Sequence, residues 1–169
     1  MEQKNVKELI TKIKDLSVLA VDLAYCSVLF SDKDLAKEVS SISRKIDDLR
    51  DNIEKSTLKA ATSGVNEEKL IGILRLASYS ERISNIAEEL AKTVLKGQVH
   101  EIEKKSLNEA EENFVRIKIK RIDSNKNVSQ FGKDNKIWIV TIKRKKTWIH
   151  HPKAEENLLA GDLVYGVRQ

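Results

Sequence analysis

Apolar residues recur every three or four positions from the start of the chain: Val6, Leu9 with Ile10, Ile13, Leu16, Ala20 and Leu23. That period puts them on one side of an α-helix, and the pattern predicts a first helix ending at Phe30. Ser31 is the expected cap of a second helix, with Asp34 as the reciprocal acid of a capping box. In that second helix Leu35, Val39, Ile42, Ile46, Leu49 and Ile53 alternate at intervals of four and three, a heptad seam rimmed by Lys, Arg and Asp. A seam of this kind needs an apolar partner. Gly64 stands where the helix should stop. Asn66 then caps a third helix, and Glu67 and Glu68 complement its positive N-terminal end. The inward residues expected there are Leu70, Leu74, Ala77, Ile83, Ile86, Leu90 and Val94, with the end near Gly97. Segments of about 30 residues, each about 45 Å long, joined by short turns predict an antiparallel three-helix bundle over residues 1–97.

Residues 98–112 (QVHEIEKKSLNEAEE) carry no strong apolar stripe and read as a connector. Beyond residue 113 the period changes to two. Phe114 to Lys120 alternates apolar and basic residues, as a half-buried strand does. A polar stretch to Asn135 holds a short helix around Val128–Phe131. IWIVTI (137–142) is a buried strand, Lys143-Arg144-Lys145-Lys146 a turn, and Thr147-Trp148-Ile149 the returning strand. Ala160-Gly161-Asp162 turns the chain into Leu163-Val164-Tyr165. The fold class is therefore α+β: the bundle, the connector, and a small antiparallel-sheet α+β domain over 113–169.

Charge sharpens this division. The chain carries +5, yet residues 113–169 hold 13 Lys and Arg against 5 Asp and Glu, while residues 1–112 hold 18 against 21. Five of the eight aromatic residues and the single proline, Pro152, lie in the basic part. No apolar run reaches the roughly 18 residues of a membrane span. The start, MEQKNVKELI, has no apolar signal segment, and a cytoplasmic protein is expected. The lone cysteine, Cys26, falls inside a helical pattern and reads as a buried, inert thiol.

Candidate chemistry is sparse. Glu81 and Asn85 sit one turn apart on the third helix, beside Ser84 and Glu88. Two carboxylates so spaced can share a metal ion, but here one is an amide. His100 lies in the connector, and His150 and His151 are neighbours at a strand end, pointing to opposite faces. No nucleophile has a base at a recognisable spacing and no glycine loop cradles phosphate, so no catalytic residues are assigned. The run Lys143–Lys146 reads first as a solvated turn and second as an anion-binding patch. Nucleic-acid binding is a third reading, with Trp138, Trp148 and Phe131 as stacking groups. Against it, Trp138 lies inside an apolar strand, where core packing is expected.

Residues 1–97 resemble the PhoU-like helical domain, on DLSVLAVDLAYCSVLF (15–30), Ile46-Asp47-Asp48-Leu49, and Ser80-Glu81-Arg82-Ile83-Ser84-Asn85. Residues 113–169 resemble the TrkA-C domain, the ligand-sensing module of potassium-transport regulators (also called the RCK C-terminal domain), on IWIVTIKRKKTWIHHP (137–152) and LLAGDLV (158–164). The first resemblance implies a comparison with metal-holding PhoU proteins, which carry an acidic residue with Asp four positions later, as in Glu-Arg-Ile-Gly-Asp. Here Glu81 is retained, Asn85 replaces the aspartate, and Ser43 precedes Asp47. Each pair has lost a carboxylate, so a polar helix face is expected and a metal is not. The second resemblance implies a small anionic ligand, with a cyclic dinucleotide (cyclic di-AMP) as the candidate and Arg144, His150 and His151 as candidate binding residues. The TrkA-C pattern commonly has glycines at the positions of Lys145 and Lys146, so a looser turn is expected. Together the resemblances imply a non-enzymatic cytoplasmic regulator that senses a small ligand or ion and modulates a membrane cation transporter or channel, for potassium in the first instance. A nucleic-acid-binding or phosphate-signalling regulator of PhoU type is the alternative. A homodimer is expected, because the heptad helix and the strand Phe114–Lys120 both offer surfaces a single chain need not cover.

Overall fold

The computed structural model describes residues 6–109 and 114–168. The chain divides after His100 into two compact units. The first contains α1 (Val6–Phe30), α2 (Lys33–Ala61) and α3 (Glu67–Leu95). The second contains α4 (Glu101–Glu109), β1 (Phe114–Lys118), α5 (Val128–Asn135), β2 (Ile137–Arg144), β3 (Thr147–His150) and β4 (Leu163–Arg168). The architecture is α+β, as the periodicity implies.

Only Ser31 and Asp32 separate α1 from α2, so the chain must reverse within two residues. Ser31 does this by taking a left-handed conformation, φ 46°. That leaves Asp32 extended, and its carboxylate accepts from the amides of Asp34 (3.0 Å) and Leu35 (3.2 Å). The cap is thus Asp32, not Ser31: a residue spent on the reversal cannot also hold the extended backbone of a cap. Asn66 caps α3 as expected, accepting from the Lys69 amide at 3.1 Å.

All three helices pack against one another. The heptad residues Leu35, Val39, Ile42, Ile46, Leu49 and Ile53 are all buried. The seam therefore finds its partners in α1 and α3 of the same chain and is not free for a second copy. Cys26 is buried too, and burial pushes its thiol well above the usual range, with Asp22 adding to the shift. It is inert. α3 departs from the expected pattern. Its buried residues are Leu70, Ala77, Ser80, Ser84, Ala87, Ala91 and Val94. Ile83 and Ile86, expected inside, are 46% and 72% exposed, and Leu76 and Tyr79 also face out. Small side chains let a helix backbone come close to its neighbours. α3 turns its Ala and Ser arc against α1 and α2, with Leu70 and Val94 buried near its ends, and Leu76, Tyr79, Ile83 and Ile86 take the opposite arc.

In the second unit the sheet order is β1-β4-β2-β3, antiparallel throughout. One face packs on a core of Ile119, Phe131, Ile137, Ile142, Leu158 and Val164, with Val115 and Ile117 of β1 against it. The apolar side of β1 is thereby half-buried within its own unit. α5 runs on to Asn135, longer than expected, because Asn127 and Gln130 form a reciprocal capping box and Lys136 closes the end in a left-handed conformation, φ 53°. The β2–β3 turn is tight rather than loose. Arg144 pairs with Thr147 across Lys145 and Lys146, and Lys145 itself adopts φ 56°. A lysine in the left-handed region costs about 1–2 kcal/mol, which the paired strands on either side overcome. Residues 110–112, the end of the expected connector, and residue 113, the expected start of the next domain, lie outside the described residues.

Candidate functional site

Two places concentrate polar chemistry, one in each unit. The first is the seam where α2 and α3 run antiparallel. Arg50 on α2 donates through Nη1 to Glu81 Oε1 at 2.7 Å, and its Nε lies 3.0 Å from Glu54 Oε1. Seven residues earlier on α2, Ser43 Oγ donates to Asn85 Oδ1 at 3.4 Å. Ser84, fully buried, has a hydroxyl with no hydrogen-bond partner. Asp47 lies in the same region. Withdrawal of water raises its carboxyl above the ordinary 3.8, Glu81 and Glu88 push it further, and Arg50 pulls the other way. The Arg50 guanidinium is raised above its ordinary value, chiefly by its hydrogen bond to Glu81.

These donors do not fit a metal cluster. The Glu81 carboxylate is taken by Arg50, Glu88 is paired with Lys92, and Asn85 is a neutral amide, which leaves Asp47 beside serine hydroxyls. Among the described residues no group of three or more His, Cys, Asp or Glu side chains is placed to hold a metal ion. Arg50 is the member of this site that spacing did not reveal. Its signal is the run Asp47-Asp48-Leu49-Arg50, which sets a cation one turn below an acid on the face that meets α3.

The seam makes a prediction. A carboxyl whose folded value is raised binds its proton more tightly folded than unfolded. Stability is then lost as pH rises from the ordinary value through the folded one. Asp47→Asn is expected to raise the melting temperature at neutral pH, with the gain vanishing below 3.8, where Asp47 is protonated in both states. Thermal unfolding of the two proteins at both pH values checks it.

The second place is a cavity of ≈ 450 Å³ between α5, the start of β2 and the segment after β3. Ser129, Lys133, Trp138, His151 and Pro152 contribute polar, cationic and aromatic surface, and Ile137 and Ile139 form apolar wall. Trp138 is 69% exposed, not packed in a core. Its side chain alternates away from that of Ile137, which is the residue that enters the core. The N-terminus of α5 offers no free anion site at its first turn: the amides of Val128 and Ser129 donate to the carbonyls of Glu156 and Ala154.

The three candidate ligand residues are not brought together. Arg144 is committed to its own unit. Its Nε and Nη2 contact the buried Asp162 carboxylate at 2.9–3.2 Å, Nη1 meets Glu156 at 2.9 Å, and Nη2 reaches the Asn157 carbonyl at 2.7 Å. Asp162 first, and then Glu156, hold its guanidinium above its ordinary value. His150 Nδ1 is 2.9 Å from Thr141 Oγ1, and its ring stacks on Trp148, with centroids 6.4 Å apart. Of the three, His151 alone lines the cavity, set there by a left-handed backbone, φ 44°, and a hydrogen bond that its backbone N–H donates to the Val140 carbonyl. Lys133, Ser129 and Trp138 join it, and strand and helix periods say nothing of this, because the cavity forms only where α5 crosses β2.

A closed helical bundle with a charge-compensated polar seam, joined to a small sheet unit, defines a multi-unit α+β protein built on a helical scaffold. Residues 10–94 match the PhoU domain family, and the chain belongs to that family. No curated protein matches it. No described helix is long and apolar enough to cross a membrane.

Proposed function

We propose that this chain is a non-catalytic regulator of the phosphate-signalling type. The observation that carries the reading is membership of the PhoU domain family across residues 10–94, a family of regulatory rather than catalytic domains. The bundle supports it physically. Its polar seam is closed by the Arg50–Glu81 ion pair, which engages the Glu81 carboxylate within the bundle. The test is deletion of the gene followed by measurement of a phosphate-starvation reporter in high and low phosphate. Loss of phosphate control is the expected result, and a reporter indistinguishable from wild type in both media sinks the reading.

The cavity of the second unit favours a further reading, in which that unit is a TrkA-C-like sensor and the chain modulates a cation transporter, potassium being the first candidate. Lys133 supplies a cationic group, His151 an imidazole, Trp138 a stacking face and Ser129 a hydroxyl, on a volume of ≈ 450 Å³ suited to a small ligand. An anionic nucleotide with exposed base faces, such as a cyclic dinucleotide, matches those groups. Calorimetric titration with cyclic di-AMP is expected to show binding that weakens at least tenfold in Lys133→Ala and in Trp138→Ala. Equal heats with wild type and both variants, or none at all, remove the sensor reading and leave the first intact.

A further inference from the structure

One end of the second unit's sheet gathers positive charge that its own acids do not balance. Lys118 ends β1 and pairs with Leu163, the first residue of β4, which pairs in turn with Lys143 of β2. Beyond that row stand the β2–β3 hairpin tip, Lys145 and Lys146, and the short 3₁₀ turn Arg121–Asp123 that follows Lys120. Lys118, Lys120, Arg121, Lys145 and Lys146 are all exposed. The acids of the neighbouring segments are engaged by other cations: Asp162 and Glu156 by Arg144, and Asp123 by Lys126. Among the described residues no acid pairs with any of the five. Two aliphatic residues stand exposed beside them: Ile122, 83% exposed, on the turn that holds Arg121, and Leu159, 48% exposed, on the turn into β4. We propose that this end of the sheet docks on an anionic phospholipid surface, its cations on the headgroups and Ile122 and Leu159 at the acyl boundary.

The segments that carry these groups are tied together. The Ile119 amide donates to the Asp162 carbonyl at 2.8 Å and the Gly161 amide to the Ile119 carbonyl at 2.9 Å, which joins the chain leaving β1 to the turn entering β4. Arg144 Nη2, 2.9 Å from the Asp162 carboxylate, joins the hairpin to the same turn. The charges therefore form one array. Lys145 holds its charge at a left-handed position, φ 56°, where glycine fits without strain, so the hairpin tip keeps a cation at a conformational cost. Charge alone suits any polyanion, and the apolar groups choose among them. Ile122 and Leu159 have no ring on which a base could stack, but aliphatic side chains enter lipid favourably. Trp148, the aromatic residue of the Lys118–Lys143 row, is half-buried, with Lys143 Nζ 5.5 Å from its ring centroid and His150 stacked on it. The exposed Trp138 lies at the opposite end of the sheet, in the row of Phe114 and Val167. A nucleic acid would thus find phosphate contacts here without a stacking platform, whereas an acidic bilayer matches both the cations and the aliphatic pair. The cavity beside Trp138 is also at that opposite end, so the surface is separate from it and stands independently of both readings above.

Co-sedimentation of the full chain with phosphatidylcholine vesicles, with and without phosphatidylglycerol, tests the proposal. Binding is expected only to the vesicles that contain phosphatidylglycerol, and it should weaken as salt is raised. Each basic residue close to an acidic bilayer strengthens binding about fivefold. Lys145→Asn/Lys146→Ser and, off the sheet, Lys120→Ser/Arg121→Ser are therefore each expected to weaken it about twentyfold. Ile122→Ser/Leu159→Ser is expected to weaken it about fivefold without any change in charge. Lys136→Asn, which removes a cation near the start of β2, should leave it unchanged. Tryptophan fluorescence of each variant, followed through urea unfolding, should give the wild-type midpoint, because all these side chains are exposed. Absence of binding to the acidic vesicles overturns the proposal. So does binding that either charge variant or the aliphatic variant leaves undiminished, or an equal loss in Lys136→Asn. Tighter binding to a single-stranded oligonucleotide than to the acidic vesicles at the same salt assigns the surface to nucleic acid and overturns it as well.

Discussion

Arg144→Ala is expected to unfold the second unit at a markedly lower urea concentration while leaving the helical bundle folded. Asp162 is 2% exposed, and its carboxylate takes hydrogen bonds from Arg144 and from the Leu159 amide. Removing the guanidinium leaves a buried charge with only the amide to hold it, and frees Glu156 and the Asn157 carbonyl from the same cation. Breaking a buried pair from one side costs about 3–5 kcal/mol. Arg144 keeps some contact with water, which puts the expected loss at about 3 kcal/mol, or a fall of about 12–24 °C for a unit of this size. Both tryptophans of the chain, Trp138 and Trp148, lie in the second unit, so their fluorescence follows its unfolding alone. Arg144→Met/Asp162→Asn should recover part of the loss, since no charge is then left buried. A single variant as stable as wild type would show that the clamp carries no net energy. The prediction also separates roles: Arg144 acts on the architecture, so a ligand titration of the intact unit should owe nothing to its charge.

The second large effect is expected at Gly166, in β4 between β1 and β2. A Cβ placed there runs into the carbonyl oxygen of Trp138 and lies 3.1 Å from its carbonyl carbon and 3.3 Å from Ile139 Cα. These are backbone atoms of the neighbouring strand, beside a bulge between Ile139 and Thr141. They cannot step aside as the end of a side chain can. β4 is held on both sides, by β1 and β2, so relief requires the sheet to part. Gly166→Ala is expected to destabilise the second unit by about 2–3 kcal/mol, read by the same tryptophan unfolding curve. Gly166→Val should prevent the unit from folding at all. Retention of the wild-type midpoint in Gly166→Ala would mean that the two strands approach less closely than described. Ile137 and Trp138 belong to that same stretch of β2 and line the cavity, so the clash would also distort the proposed ligand site.

Much of the architecture was legible because it rests on local periods. The 4-3 spacing of Leu35 to Ile53 could satisfy only one side of a helix, and α2, packed against both other helices, buries all of it. The alternation of Phe114 to Lys120 announced β1, and Asn66 with Glu67 and Glu68 announced the start of α3. The polar pairs Ser43 with Asp47 on α2 and Glu81 with Asn85 on α3 were also legible, each as one face of its own helix, since residues four apart on a helix must share a side.

What the sequence determined by itself, then, is the kind and order of elements, the α+β class, and the separation of an acidic helical part from a basic sheet part, because hydrogen-bond periodicity and side-chain alternation are properties of neighbouring residues. Tertiary structure alone decided which arc of α3 turns inward. Its apolar residues spread over more than half the helix, and only the close approach of α1 and α2 selects Ala77, Ser84, Ala87 and Ala91 over Ile83 and Ile86. It also decided that Arg144 serves Asp162, 18 residues away, that Arg50 reaches Glu81, and that His151 rather than His150 lines the cavity. Each of these depends on distances between segments far apart along the chain, which no local period encodes.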